Sequence, residues 1–125
     1  MRMKILKPEI NSSTLKDGRG GIFTYFPENG VIKEWNYIVT HKGADRGNHC
    51  HEEFDEYIMF VEGHGCYIEK LENGGEEYYL VGPGDCLFIP SKSIHTFKPL
   101  EDCKIIALLT KRWDQCEKPI TKDKQ

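Results

Sequence analysis

The chain has 125 residues, 38% hydrophobic and 30% charged, with a net charge of −3. That length sets an expectation of one domain with a real hydrophobic core, and the composition excludes a disordered chain. The mild acidity gives no general attraction to nucleic acid or to a membrane surface, so neither is expected as a partner.

The opening segment Met1–Ile10 lacks the apolar core of a signal peptide, and no apolar run approaches the roughly 20 residues needed to cross a bilayer. A cytoplasmic protein is expected. Its five cysteines, Cys50, Cys66, Cys86, Cys103 and Cys116, form no Cys-x-x-Cys pair. They read as reduced thiols, mostly small buried residues, with no zinc knuckle.

Turn signals recur about every ten residues: Asp17-Gly18, Glu28-Asn29-Gly30, Lys42-Gly43, Glu62-Gly63, Asn73-Gly74-Gly75, Gly82-Pro83-Gly84 and Pro90-Ser91. Between them lie short runs rich in Ile, Val, Tyr, Phe and Leu. In chain order these are 21–26, 34–40, 48–51, 56–61, 66–71, 76–81, 86–89, 95–99 and 103–110. Runs of strand length at this spacing predict an all-β sandwich or barrel. Asn73-Gly74-Gly75 predicts a hairpin. Residues 112–125 read as a polar tail, with Trp113 a packing anchor, and the barrel core as about 17–110. The runs 56–61 and 103–110 are apolar on both faces, so a covering element is required; a second copy of the chain, in a homodimer, is expected to supply it.

The chemistry concentrates in Gly43–Gly63. His49 and His51 stand two apart on a predicted strand, so both side chains leave one face, while Cys50 points away. Glu56 follows after room for a tight turn, and His95 opens a later strand. Three imidazoles and a carboxylate suit one divalent transition metal (Fe, Mn, Ni, Co or Zn), with His49, His51, Glu56 and His95 as ligands. His41 and His64 fall outside this pattern and read as turn or surface residues.

These residues resemble the cupin superfamily. Gly43, His49, His51, Glu56 and Gly63 meet every position of its first motif, G-x5-H-x-H-x3,4-E-x6-G. Gly84, Pro90 and His95 fit the second, in which Lys92 replaces a glycine and Pro99 an asparagine. The resemblance implies a double-stranded β-helix, a jelly-roll-like barrel with the site in its mouth. A narrower resemblance runs from Asp17 to Thr110. Asp17-Gly18-Arg19-Gly20, an aromatic strand Trp35–Val39, and Arg46-Gly47-Asn48-His49-Cys50-His51 resemble the dTDP-sugar 3,4-ketoisomerases and the dTDP-4-dehydrorhamnose 3,5-epimerase relatives.

That resemblance implies an isomerase or epimerase of a nucleotide-linked 4-keto sugar, possessing a dTDP-sugar substrate and working through an enediolate. It implies His49 and His51 as acid/base residues, Arg46 beside the sugar or phosphate, and Arg19 and Lys92 as pyrophosphate contacts. Ketoisomerases that work without metal carry a basic residue after the His-x-His pair and no glutamate at the ligand position; here Glu52 and Glu56 stand in those places. Histidines held by a metal are not free bases. The proton would then be carried by another group: Tyr37, Tyr57, Tyr67, Tyr78, Glu62 or a water. Two other readings stay open, a metal-dependent dioxygenase or lyase and a small-molecule-binding cupin without chemistry.

Overall fold

A computed structural model describes residues 1–10, 18 and 20–123. The described residues form twelve strands: β1 (Lys4–Leu6), β2 (Glu9–Ile10), β3 (Phe23–Thr24), β4 (Glu34–Thr40), β5 (Arg46–Cys50), β6 (Glu56–Glu62), β7 (Gly65–Lys70), β8 (Glu76–Val81), β9 (Cys86–Ile89), β10 (Ile94–Pro99), β11 (Cys103–Leu109) and β12 (Thr121–Lys122). One 3-10 turn, Trp113–Gln115, follows β11. No helix among the described residues is long and apolar enough to cross a membrane.

Two five-stranded antiparallel sheets face each other, in the orders β1-β9-β6-β11-β4 and β12-β5-β10-β7-β8; β2 and β3 form a separate pair. The alternation of side chains explains the core. On β7, Gly65, Tyr67 and Glu69 are buried while Cys66, Ile68 and Lys70 are less so, and β11 alternates the same way. The inward residues form one cluster, including Ile58, Phe60, Leu87, Phe97, Ile105 and Ala107. Fully burying side chains of this size stabilises the fold by about 1.5–3 kcal/mol each. The expected hairpin is β7–β8, with Leu71 donating to Gly75 at 2.8 Å.

The barrel extends beyond the 17–110 core expected from the sequence. β1 joins one sheet beside β9, and β12 joins the other beside β5. At one end of the barrel the buried Glu69 accepts hydrogen bonds from Arg2 Nε at 2.9 Å, the Met3 amide at 3.0 Å and the Tyr79 hydroxyl at 2.9 Å. A carboxylate so buried needs such partners.

The outer face of β6 is partly covered by the chain itself, where a second copy was expected. Tyr57 and Phe88 pack with Leu6 and Cys86, and Tyr25 and Ile32 lie against them. The rest of that face, Trp35, Tyr37 and Val39 on the edge strand β4 together with Val61, is exposed.

Candidate active site

The strand β5 carries the site, and an irregularity in it decides what the site contains. His95 pairs with His49, but Phe97 pairs with Arg46, so three steps on β5 match two on β10. The extra residue is a bulge at Gly47-Asn48, where Asn48 has φ 48°. Asparagine tolerates this left-handed conformation better than most residues. The Asn48 amide donates to Thr96 Oγ1 at 3.0 Å, and a β-carbon on Gly47 would lie 3.3 Å from Thr96 Cγ2. In a regular strand Arg46 and His49 would point to opposite faces; the bulge lets both line the same cavity.

That cavity is about 460 Å³, within the range of small-molecule sites. His49 and His95 are direct cross-strand neighbours with ring centroids 4.6 Å apart, and His51 lies 5.2 and 5.4 Å from them. One ligand atom from each of the three converges within 4.8 Å of the others. Glu56 approaches from the opposite sheet, with Oε1 3.8 Å from His51 Nε2. Tyr67, Trp113 and Ile120 supply the other walls used below.

Backbone carbonyls orient the rings. His51 Nδ1 lies 2.9 Å from the Pro119 oxygen, and His95 Nδ1 2.9 Å from the Ser93 oxygen. A carbonyl only accepts, so both Nδ1 atoms carry the proton and both Nε2 atoms hold a lone pair. Burial and mutual repulsion keep the imidazoles neutral. His49 is lowered to about 4, mainly by desolvation and then by His51, and His95 to about 3, mainly by desolvation. Desolvation also lowers His51. Glu56 is raised to about 7 by burial, its 14% side-chain exposure notwithstanding; that exposure is consistent with its place on the cavity wall. Tyr67 is raised well above the usual phenol range, mainly by burial, and stays protonated.

Three neutral nitrogen donors suit a first-row divalent ion. Three nitrogens sharing such an ion at about 2.1 Å stand about 3–3.5 Å apart, so a set within 4.8 Å closes on one when the rings draw together by up to about an ångström. The residues fit a metal. Glu56 lies outside this converging set, close to His51 alone.

The other expected residues divide. Arg46 lines the cavity, and among the described residues no carboxylate pairs with it; Asp45 faces Lys98 and Asp55 binds the Ser91 amide instead. Tyr37 borders the cavity at the edge strand, but alternation puts its side chain on the exposed outer face with Trp35 and Val39. Tyr57 does not: it follows Glu56 and so points outward, into the second cluster, where its hydroxyl donates to the Asn29 carbonyl at 2.9 Å. Tyr78 and Glu62 are exposed away from the cavity. Lys92 lies on a separate hollow with Arg2 and Glu69. It has φ 69°, the conformation that favours glycine, and its amide donates to the His51 carbonyl at 2.8 Å. Arg19 lies outside the described residues. His41 and His64 are surface residues, the latter 2.6 Å from Glu101.

Trp113 and Ile120 are cavity residues that the reading of a polar tail missed. Their signal was faint: two large apolar residues isolated in a hydrophilic segment. The Trp113 ring meets His51 edge-on at 5.9 Å and lies 6.2 Å from Phe54.

Two facing antiparallel sheets with a histidine-lined mouth define an all-β, jelly-roll-like double-stranded β-helix of the cupin type. No family model matches the chain, and no curated protein sequence matches it. Solved structures do. The chain is similar to a 3,4-ketoisomerase from Helicobacter canadensis, with TM-score 0.77 and 21% identity over 98% of this chain and 92% of that one. It is similar to a dTDP-4-dehydrorhamnose 3,5-epimerase from Sulfolobus tokodaii, with TM-score 0.75 and 19% identity over 96% and 76%. A mutant of the 3,4-ketoisomerase QdtA from Thermoanaerobacterium thermosaccharolyticum, in complex with TDP-4-keto-6-deoxyglucose, gives TM-score 0.74 and 18% identity over 96% and 86%. These are the two enzyme classes that the motifs resemble, and at these identities they establish the fold.

Proposed function

We propose that the protein is an isomerase or epimerase of a nucleotide-linked 4-keto-6-deoxy sugar. The observation that carries this reading is the histidine-lined cavity itself. It sets a carboxyl opposite three imidazoles and a protonated phenol beside them on the same sheet, with Arg46, unpaired among the described residues, on its lining. The fold neighbours, one in complex with TDP-4-keto-6-deoxyglucose, support the substrate class.

Such a reaction removes a proton α to a ketone and returns it to another carbon or face. Glu56 is the one carboxyl among the described lining residues, and its carboxylate takes that proton. The electron pair left behind delocalises into the keto group, and the Tyr67 hydroxyl donates a hydrogen bond to the developing oxyanion. Protonated Glu56 then delivers the proton to the neighbouring carbon while the hydroxyl proton on the first carbon passes to the former keto oxygen, so that ketone and hydroxyl exchange places; inversion at a single carbon instead needs a donor on the other face. Arg46 holds a phosphate oxygen of the nucleotide, and Trp113 and Ile120 keep water from the enediolate. His49, His51 and His95 would hold the divalent ion, which supplies Lewis-acid polarisation of the keto oxygen when bound. A second copy covers the exposed face of Trp35, Tyr37 and Val39: β4 is an open sheet edge, and two such edges related by a twofold axis are self-complementary.

The test is incubation of chelator-treated and metal-loaded protein with a dTDP-4-keto-6-deoxyhexose in heavy water. Solvent deuterium at carbon 3 or 5 is expected. No exchange in either form, with oxygen consumed on a small substrate instead, would replace this reading with a dioxygenase.

A further inference from the structure

The segment from Trp113 to Asp123 forms a wall of the cavity. Its backbone is docked along β5, with Thr121 opposite Cys50 and Lys122 opposite His49. The Asp123 amide donates to the Asn48 carbonyl at 2.7 Å, and the Lys118 amide to a Glu53 carboxylate oxygen at 2.7 Å. One ion pair reaches across the sheet to this segment: Lys70 Nζ lies 2.6 Å from Asp123 Oδ2, with side chains only 25% and 16% exposed. At that burial the pair is less screened than a surface contact.

The docked segment turns the Pro119 carbonyl towards His51. The two oriented rings differ in how they obtain their acceptors. His95 bonds Ser93, two residues away, and keeps that partner whenever its own loop is formed. His51 bonds Pro119, 68 residues away, and has that partner only while the C-terminal segment is docked. Among the described residues no other hydrogen bond holds the His51 ring.

We propose that the C-terminal segment is a strap that positions His51, with the Lys70–Asp123 pair as its latch. Docked, the strap fixes His51 as the Nδ1–H tautomer, with Nε2 free towards the cavity. Undocked, the ring loses its acceptor, either nitrogen can carry the proton, and the third converging nitrogen disperses. The consequence for turnover rests on the function proposed above; the tautomer does not.

The test is long-range proton–nitrogen correlation spectroscopy on nitrogen-labelled, metal-free protein, with the His51 signals identified by their loss in His51→Gln. The unsubstituted protein is expected to show His51 protonated at Nδ1 alone. Asp123→Ala and Lys70→Met are expected to give a tautomer mixture at His51 while His95 keeps its pattern, and Lys70→Arg to restore the single form. Exchange of the sugar proton should fall about tenfold in kcat in the latch variants, with KM changing less, as for other groups that orient an active-site histidine. A native His51 protonated at Nε2, or an Asp123→Ala spectrum unchanged at His51, overturns the proposal. Equal disturbance at His95, with a matching fall in melting temperature, also overturns it, because the pair would then be merely structural. Absence of turnover by the unsubstituted protein would sink the proposed function and leave the spectra to decide the strap.

Discussion

Gly43 and Gly63 bracket the histidine segment, and alanine at each position separates a backbone requirement from a packing one. Both have positive φ, +79° and +86°. A β-carbon at Gly43 would meet nothing within 4 Å. One at Gly63 would collide with the Asp102 carbonyl oxygen and stand 2.9 Å from both Cys103 Cα and Sγ. The left-handed conformation costs alanine about 1–2 kcal/mol, and the stiffer unfolded chain offsets about 0.5 of that. Gly43→Ala is therefore expected to lose about 1 kcal/mol. Gly63→Ala adds the displacement of a neighbouring backbone, about 1–3 kcal/mol, for a total near 3. At about 4 °C per kcal/mol, the melting temperature should fall roughly 4 °C for Gly43→Ala and roughly 12 °C for Gly63→Ala. Thermal and urea melts of both variants measure this, and neither residue lines the cavity. Equal losses, or a larger loss at Gly43, would refute the packing argument.

After equilibration with Zn2+ or Ni2+ and dialysis, the protein should retain about one ion per chain by elemental analysis. His49→Ala, His51→Ala and His95→Ala should each lose it. Glu56→Gln should keep the ion and lose carbon-acid exchange; loss of the ion would make Glu56 a ligand instead. Burial lifts the Cys86 thiol to about 11, so at pH 8 it stays protonated, and iodoacetamide should leave Cys86 unmodified in the native protein while reaching the half-buried Cys116 and Cys66 by mass spectrometry. Trp35→Lys should convert a dimer to a monomer by light scattering, and a monomeric unsubstituted protein would refute the proposed covering of β4.

The readings that hold are those set by nearby residues. The glycine-rich turns, the β7–β8 hairpin and the shared face of His49 and His51 follow from local backbone geometry. Tyr57 shows where locality stops. Alternation correctly separates it from Glu56, but only the packing of Leu6 and Phe88 reveals that its side is the outside of the barrel. Lys92 likewise sits in register with the histidine motif, yet its turn faces a hollow shared with Arg2 and Glu69.

The sequence alone determined the β architecture and the histidine set, because strand alternation and turn chemistry act over a few residues. Only the tertiary structure decided what joins that set. The bulge at Gly47-Asn48 brings Arg46 to the same cavity as His49, and it is defined by pairing with a strand almost fifty residues away. Glu56 comes from the opposite sheet, and Trp113, Pro119 and Ile120 come from a segment that looked like a polar tail. Each of these placements depends on a register or a docking between distant parts of the chain, and such long-range contacts leave no periodic mark in the residues that make them.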